Sequence, residues 1–378
     1  MARDIRSIAR QFAISGSFQE GRPYGGGHIN DTYILTYTQG TRSSRYILQR
    51  VNHHVFKDPA KLMDNLVRVT AHLRHRLLAE GCTDLSRRVL TVVSTCDQAP
   101  YYSDPDGNVW RALVFIEGTV TVEVPDSPDQ IYQAAKAFGH FEAMLSDLPG
   151  PPLYETIPDF HHGPKRYLAF QTILDSDPCN RAALASKEIA FLHHHADILV
   201  GPSRLAAEGL IPLRVTHNDT KVNNVLLDRM TGEGLCVIDL DTVMPGLVLY
   251  DVGDIVRTSA SAAAEDEPDL SKVEFSLDRF EAIVHGFMTG AGGSLKSCEV
   301  EHLVQAGQFM TLVMGTRFLT DFLQGDTYYK VHRPNHNLDR CRVQLRLIQS
   351  MIDRQDQMDQ IVKRVAGRFT HKDSRGNK

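Results

Sequence analysis

Closely spaced cysteines are missing from this sequence. Its six cysteines are scattered over 378 residues without any Cys-x-x-Cys pair: Cys82, Cys96, Cys179, Cys236, Cys298 and Cys341. Zinc sites and disulfide frameworks need closely spaced or paired thiols, and disulfides persist in oxidising compartments. We therefore expect neither kind of site, and we expect a protein of the reducing cytoplasm.

Long apolar runs and an excess of positive charge are missing as well. No run approaches the length of a membrane-spanning helix, and the net charge of -5 offers no basic surface for nucleic acid. Residues 2–12 alternate apolar and charged side chains at helical spacing, which predicts an amphipathic helix rather than a signal peptide. We therefore expect a monomer without nucleic-acid or membrane partners.

The chain is long enough to bury a substantial core and too long for one small domain. Its first part alternates short strand patterns with turns, and from Ser127 onward helical patterns dominate. We predict an α+β fold of two lobes: a small β-rich N-terminal lobe with a hinge (residues 1–118) and a larger, mostly helical C-terminal lobe (residues 119–378). In the first lobe, Asp58 and Pro59 predict the start of a helix with an apolar stripe.

A hairpin in the second half carries the clearest chemistry. Two apolar runs, residues 225–227 and 235–238, flank a turn at residues 231–234. Antiparallel pairing of the runs would place Asn224, before the first, beside Asp239, after the second. Two oxygen-bearing side chains at one hairpin end suit a hard cation such as Mg²⁺. The sequence therefore predicts a magnesium site at Asn224 and Asp239.

Asp219 lies in the loop that leads to this site, five residues before Asn224. Kinases use such a carboxylate to accept a hydroxyl proton while metal ions neutralise the transferring phosphoryl group. A lone loop aspartate usually forms a turn, and one after a strand usually caps it. The combination of His217, Asp219, Asn224 and Asp239 favours the catalytic interpretation. Farther on, Asp251 and Asp254 either brace this loop by accepting backbone N–H bonds or cap a helix.

A glycine-rich turn in the N-terminal lobe predicts the nucleotide site. Gly25, Gly26 and Gly27 carry no Cβ, so their backbone can approach phosphates, although most such tracts are only flexible turns. On the later strand, where kinases of a related design place a phosphate-binding cation, this chain has Gln49 or Arg50. Alternation of side chains lets only one of them face the site. These features predict a protein-kinase-like arrangement with Gln49, or alternatively Arg50, at the phosphates.

The apolar run at residues 109–118 predicts the last strand of the sheet and the hinge that follows it. Backbone groups between Phe115 and Gly118, including those of Glu117, would then hydrogen-bond adenine. Any buried strand before a turn has the same pattern, so the hinge interpretation depends on the rest of the lobe.

The catalytic motif resembles that of the aminoglycoside phosphotransferase and choline kinase superfamily. Within it, the chain is most similar to the N-acetylhexosamine 1-kinases. The matching stretches are residues 23–30, 45–49, 214–221, 238–242, 269–273 and 317–319, with Gly325, Asp326 and Tyr328. The resemblance covers nearly the whole chain.

This resemblance implies that ATP, with Mg²⁺, donates its γ-phosphate to the anomeric hydroxyl of N-acetylglucosamine or N-acetylgalactosamine. It implies that Asp219 is the base and that Asn224 and Asp239 bind Mg²⁺. It also implies sugar contacts from His28, Arg317 and Tyr328.

One departure from the wider superfamily is Gln49, which aligns with the usual phosphate-binding lysine or arginine unless the register shifts to Arg50. The closer family shares this glutamine. Two rival functions remain open. One is a kinase of amino alcohols or aminoglycosides, which His28 and Arg317 disfavour because such substrates are cations. The other is a catalytically silent nucleotide-binding scaffold, which Gln49 favours and the intact set Asp219, Asn224 and Asp239 opposes.

Overall fold

The computed structural model describes residues 4–25 and 29–373. An antiparallel sheet forms the N-terminal lobe, with strand order β1-β2-β3-β6-β4 and β5 paired to β6. Its strands are β1 (Ser17–Pro23), β2 (Asp31–Gln39), β3 (Arg42–Arg50), β4 (Val92–Val93), β5 (Tyr102–Ser103) and β6 (Val109–Val114). Three helices accompany it: α1 (Ile5–Ala9), α2 (Pro59–Ala79) and α3 (Leu85–Arg88).

Helix α2 begins where the sequence predicts it to begin. The Asp58 side chain accepts a hydrogen bond from the Lys61 backbone N–H at 3.1 Å, and Pro59 occupies the first turn, where its missing N–H costs nothing. One face of the helix is buried in the core at a spacing of three or four residues: Leu62, Leu66, Val69, Leu73 and Leu77. The predicted cap and apolar stripe are both confirmed.

The C-terminal part is mostly helical. Its helices are α4 (Pro128–Leu145), α5 (Gly163–Ser176), α6 (Ser186–His194), α7 (Gly201–Ala207), α8 (Val248–Ser259), α9 (Leu277–Ala291), α10 (Ser297–Glu301), α11 (Leu303–Gln324), α12 (His336–Ile352) and α13 (Gln355–Asp373). Helix α11 is the central element, because nearly all of its residues are buried between α5, α8 and α12. None of the helices within residues 4–25 and 29–373 is long and apolar enough to cross a membrane.

Helices α4 and α9 pack at very short range because glycines line their contact. A Cβ added at Gly290 would lie 2.0 Å from the carbonyl oxygen of Lys136, and one added at Gly139 would lie 2.2 Å from that of Phe287. Helix α4 also packs against the catalytic loop, where Phe138 contacts the ring of His217.

Short strands after β6 form two further small sheets, which are separate from the first. They are β7 (Thr119–Val120), β8 (Arg214–Thr216), β9 (Val225–Asp228), β10 (Gly234–Val237) and β11 (Met244–Gly246). The chain leaves the N-terminal sheet after β6, turns at Gly118 with φ +69°, and pairs through β7 with β9. Since sheet membership changes there, we propose this point as the boundary between residues 1–118 and 119–378.

Candidate active site

The predicted hairpin is present, formed by β9 and β10. Val225 pairs with Val237, and the Ile238 backbone N–H donates to the Asn224 carbonyl at 2.9 Å. Asn224 therefore lies opposite Ile238, and Asp239 follows one residue beyond, at the same end of the hairpin. Asp239 adopts a left-handed conformation with φ +59°, which aspartate tolerates better than most residues and which turns the chain sharply.

Asp219 and Asn224 are in direct contact. The Asn224 side-chain amide donates to the Asp219 carbonyl oxygen at 2.8 Å and to Asp219 Oδ2 at 3.1 Å. These bonds use the amide nitrogen of Asn224, so its oxygen, the atom that a metal would bind, is not engaged in them. The structure thus brings together the residues predicted as base and metal ligand.

Lys221 forms an ion pair with Asp219. Its Nζ lies 2.8 Å from Asp219 Oδ1. Burial alone would raise the pKa of Asp219, but the charge and hydrogen bond of Lys221, together with the charges of His217 and Arg257, lower this pKa to about 2. The carboxylate in turn raises the pKa of Lys221. Asp219 is therefore ionised at neutral pH and can accept a hydrogen bond from a substrate hydroxyl.

Asp239 lies in a crowded acidic environment. The Asp239 side chain is exposed at the site, but partial desolvation by the surrounding protein, followed by the nearby carboxylates of Asp241 and Asp219, raises its pKa above the usual range, and the guanidinium of Arg111 opposes this shift. A divalent cation would relieve the repulsion between these carboxylates, and the amide and carboxylate oxygens of Asn224 and Asp239 are the donors that Mg²⁺ prefers. The residues present fit the predicted metal.

Asn224 and Asp239 would occupy only two of the coordination positions of such an ion, so the others would be filled by ligands that do not belong to the protein. Throughout the part of the chain that the structure describes, no group of three or more His, Cys, Asp or Glu side chains is arranged to hold a metal. Mg²⁺ in phosphoryl-transfer sites is commonly held by one or two carboxylates together with substrate phosphates and water. The pair Asn224 and Asp239 fits a site of that kind.

His217 ties the catalytic loop to the hairpin. Its Nε2 lies 2.9 Å from the Ile238 carbonyl oxygen, and the Asp219 backbone N–H donates to its Nδ1 at 3.3 Å. A carbonyl only accepts and an amide N–H only donates, so Nε2 is the donor to Ile238 and Nδ1 is the acceptor from Asp219. The ring packs edge-on against Phe138 and Phe141. The residues on either side of the site are thereby held at fixed positions.

The carboxylate of Asp251 holds the same loop in place by accepting its backbone N–H bonds. Its carboxylate accepts the backbone N–H of His217 at 2.7 Å and that of Asn218 at 2.6 Å. The Thr220 hydroxyl donates to its backbone carbonyl at 2.6 Å. The predicted bracing role is confirmed for Asp251, whereas Asp254 instead forms an ion pair with Arg257 at 2.8 Å.

The glycine-rich turn is described only at its start. Gly25 has φ +72°, a conformation that favours glycine, and an added Cβ there would meet open space. Gly26, Gly27 and His28 lie outside the described residues, so their predicted phosphate and sugar contacts stay predictions. Just beyond them, the Asn30 amide donates to Asp241 Oδ2 at 2.7 Å.

Gln49 and Arg50 point to opposite faces of β3. Gln49 accepts hydrogen bonds from Arg111, which forms an ion pair with Asp241 on the catalytic side. Arg50 binds Asp31 at 2.7 Å and also donates to Asn108. Of the two alternatives, Gln49 therefore shares a face with Asp241, and Arg50 lies on the other.

The predicted hinge follows β6 directly. The Phe115 backbone N–H donates to the Arg45 carbonyl at 3.1 Å, and the Arg45 guanidinium lies 4.1 Å from the centre of the Phe115 ring. The Glu117 carboxylate binds Arg45 at the surface, and its carbonyl accepts from Arg87 at 3.1 Å. The adenine contacts predicted for Phe115 and Glu117 stay predictions.

Arg317 and Tyr328 lie together. The Arg317 guanidinium lies 5.1 Å from the ring centre of Phe160, 5.7 Å from that of Tyr328 and 5.6 Å from that of Tyr329. Tyr328 is 58% exposed and so remains accessible to a ligand. We define these four side chains as the Arg317 cluster.

Asp321, which the sequence analysis missed, positions the loop that carries Tyr328. It lies one helical turn after Arg317 and is buried. Its carboxylate accepts the backbone N–H groups of Tyr328 at 2.8 Å and Tyr329 at 3.0 Å, and also the amide of Asn337 at 2.8 Å. This buried carboxylate holds Tyr328 next to Arg317.

His161, also missed, connects the Arg317 cluster to the catalytic loop. It follows Phe160, and its Nε2 donates to the Asn218 carbonyl at 2.8 Å. Burial lowers the pKa of His161 to about 4, so the ring is neutral at pH 7. The nearby charges that act on it include those of both Asp219 and Arg317. The predicted base and the predicted sugar contact Arg317 are therefore both near one imidazole.

The other residues that the sequence analysis missed are Arg111, Lys221 and Asp241. Arg111 stands out in the sequence as a charged residue inside the apolar run of β6. Lys221 is two positions after Asp219, and Asp241 is two positions after Asp239. These signals were available in the sequence. His161 has no such signal, because its partner is 57 residues away.

A β-rich sheet region and a helical region, with Asp219, Asn224 and Asp239 at one hairpin end, are the arrangement of a phosphotransferase of the protein-kinase-like fold. The chain belongs to the phosphotransferase enzyme family, which matches residues 20–283. The predicted α+β fold is thereby confirmed.

Three solved structures illustrate the likeness. An aminoglycoside phosphotransferase from Alicyclobacillus acidocaldarius is 14% identical with a TM-score of 0.59, covering 97% of this chain and 96% of that one. A choline kinase from Cryptosporidium parvum is 13% identical with a TM-score of 0.57, covering 93% and 96%. A spectinomycin phosphotransferase in complex with ADP and spectinomycin is 12% identical with a TM-score of 0.51, covering 93% and 94%. Such identities establish the fold and leave the substrate open.

Proposed function

We propose that this protein is an ATP- and Mg²⁺-dependent kinase that phosphorylates the 1-hydroxyl of N-acetylhexosamines, N-acetylglucosamine or N-acetylgalactosamine. The observation that carries the proposal is the contact of Asn224 with Asp219 beside Asp239. This is the division between a base and a metal site that phosphoryl transfer requires. The bound ADP of the similar spectinomycin phosphotransferase supports nucleotide binding by this fold.

The residues of the chain have separate tasks in this reaction. Asp219, ionised at neutral pH, accepts the hydrogen bond of the sugar hydroxyl and orients its oxygen for attack. Asn224 and Asp239 would hold Mg²⁺, which when bound neutralises charge on the transferring phosphoryl group. His217 and Asp251 keep the loop in place, so that little reorganisation is needed when the substrate arrives.

The charge of the Arg317 cluster favours a neutral sugar over a cationic substrate. Arg166 adds a second guanidinium near Arg317. Its own pKa is lowered first by burial and next by the positive charge of Arg317, so the two groups are close. Two guanidinium groups would repel the ammonium groups of an aminoglycoside or amino alcohol. They would instead donate to the hydroxyl and acetamide oxygens of an N-acetylhexosamine.

The aromatic members of the cluster suit the other face of a sugar. Tyr328 and Phe160 present ring surface beside the guanidinium, and Tyr328 also carries a hydroxyl. A ring that combines an apolar body with a polar end can pack against a pyranose and still hydrogen-bond it.

ADP release tests the proposal. The protein is incubated with ATP and Mg²⁺ and with N-acetylglucosamine, N-acetylgalactosamine, glucose, galactose, choline or kanamycin. We expect strong turnover on an N-acetylhexosamine and an acid-labile, alkali-stable product. Turnover only on choline or kanamycin would assign the protein to the cationic-substrate kinases. No turnover on any of them would favour a silent nucleotide-binding scaffold.

A further inference from the structure

Arg111 is a charged residue in a place that normally excludes charge. It occupies the middle of β6, between Trp110 and Ala112, and its side chain is 3% exposed. Asp241, its ion-pair partner, is also 3% exposed. Burying two charges is costly unless both are well hydrogen-bonded, so such a pair is often a feature of function or specificity rather than of stability.

The guanidinium is bound on two sides. Its Nε and Nη2 donate to Gln49 Oε1 at 2.9 Å and 2.8 Å, and its Nη1 binds Asp241 Oδ1. The Gln49 amide donates in turn to the Thr32 hydroxyl at 3.2 Å. Thr32, Gln49 and Arg111 are cross-strand partners on β2, β3 and β6, so they form one row on a single face of the sheet.

The other oxygen of Asp241 is held from the same lobe. Asn30 donates to Asp241 Oδ2 at 2.7 Å, and Asn30 itself accepts the Asn52 backbone N–H at 3.0 Å. Both carboxylate oxygens of Asp241 are therefore bound by residues of the proposed N-terminal lobe, one by Arg111 on β6 and the other by Asn30 just before β2, although Asp241 follows in the proposed C-terminal lobe. Asp241 lies two residues after Asp239, in the same 3₁₀ turn that Asp239 begins.

This arrangement differs from that of protein kinases. There the phosphate-binding lysine is on the third strand and pairs with a glutamate of a neighbouring helix. Here the third strand has Gln49, the cation has moved to Arg111 on the adjacent strand, and its carboxylate partner is on the turn that carries Asp239. The ion pair thus crosses from one lobe to the other.

We propose that Arg111 is a positioning residue for Asp239: by binding Asp241, it fixes the turn that presents Asp239 to Mg²⁺ and couples metal and nucleotide binding to the closeness of the two lobes. Gln49 serves in this arrangement by holding the guanidinium in the row rather than by touching phosphate. The inference rests on the proposed function, because it requires nucleotide and metal to bind at Asp239.

Calorimetric binding of ADP across a series of Mg²⁺ concentrations tests the inference without catalysis. The variants are Arg111→Gln, Asp241→Asn and the double variant. We expect each single change to raise the Mg²⁺ concentration at half-saturation about tenfold, the lower end of the effect of removing a partner that orients a metal site. The Mg²⁺ concentration at half-saturation of the double variant should not exceed that of the single variant with the higher value, because both changes remove the same ion pair.

Arg50→Gln is the matched control. It removes an arginine from the end of β3 together with its ion pair to Asp31, on the opposite face of the sheet. We expect it to keep the wild-type Mg²⁺ dependence. Thermal unfolding of every variant separates loss of structure from loss of positioning, and Asp241→Asn carries the test if Arg111→Gln fails to fold.

The outcomes separate this inference from the proposed function. A wild-type protein that binds no ADP with Mg²⁺ would overturn the proposed function and the inference with it. Wild-type binding that Arg111→Gln and Asp241→Asn leave unchanged would overturn the inference alone. Effects of the single changes that add in the double variant would also overturn it, since they would mean that Asp241 acts on the metal independently of Arg111.

Discussion

Replacing Asp219 by asparagine should remove nearly all turnover and leave the fold intact. The change keeps the size of the side chain. One oxygen remains to accept the amide of Asn224, which donates to Asp219 Oδ2 at 3.1 Å in the structure. What disappears is the negative charge that Lys221 stabilises at 2.8 Å and that would receive the proton of the substrate hydroxyl.

The size of the effect follows from the role of this carboxylate. A positioned general base contributes about 10²–10⁴ in rate. This range corresponds to about 3–5 kcal/mol of transition-state stabilisation. We therefore expect kcat of Asp219→Asn to fall by about 10²–10⁴. The nucleotide affinity should change little, because the proposed metal ligands Asn224 and Asp239 are untouched.

The assay is steady-state ADP release with an N-acetylhexosamine, paired with thermal unfolding and ADP binding. Asp228→Asn is the matched control, since Asp228 is also a paired carboxylate, bound to Arg87 at 2.7 Å, but lies at the far end of β9. It should keep wild-type kcat. A kcat for Asp219→Asn within a few-fold of the wild-type value would remove Asp219 from the mechanism.

Three further changes test other parts of the account. Asp239→Ala should raise the Mg²⁺ requirement and impair nucleotide use, since it deletes a proposed metal ligand; unaltered Mg²⁺ dependence would count against the site. His161 has a pKa of about 4 when folded against an ordinary value of 6.5, so the unfolded chain binds its proton first as pH falls. The free energy of unfolding should therefore fall by about 3 kcal/mol between pH 6.5 and pH 4, as measured by chemical unfolding. His161→Gln should lack that part of the pH dependence. The same dependence of unfolding free energy on pH in both proteins would refute this. Gly290→Ala should destabilise the fold by about 1–3 kcal/mol because its Cβ would collide with the Lys136 carbonyl. Gly367→Ala, whose Cβ meets open space, should not; equal unfolding temperatures for these two variants would contradict the packing argument.

The sequence predicts local features well because their signals are close together in the chain. The cap and stripe of α2 and the β9–β10 hairpin follow from short-range patterns or from one strand pairing. For Asp251 the sequence left bracing of the loop and capping of a helix open, because the bonded residues are 34 positions apart. The contact of Asn224 with Asp219 spans only five residues. In such cases the backbone periodicity fixes the geometry before tertiary packing matters.

Contacts between distant segments were beyond the same reasoning. Arg111 and Asp241 are 130 residues apart, and which buried cation meets which carboxylate depends on how the lobes pack. From the sequence, Gln49 left the usual position of the phosphate-binding lysine or arginine without a positive charge. In the structure, Arg111 on the neighbouring strand β6 places a positive charge beside Gln49. For Asp254 the sequence left bracing of the loop and capping of a helix open, whereas in the structure Arg257, three residues later, binds its carboxylate.

The central claim is transfer of phosphate from ATP to the anomeric oxygen of an N-acetylhexosamine at Asp219. The most direct test is proton-coupled phosphorus NMR of the product made from ATP and N-acetylglucosamine, with Asp219→Asn as the blank. The account predicts a phosphorus signal split by the single anomeric proton and formed at least about a hundredfold more slowly in the Asp219→Asn reaction. A signal split by the two protons of carbon 6, or equal product from the blank, would contradict it.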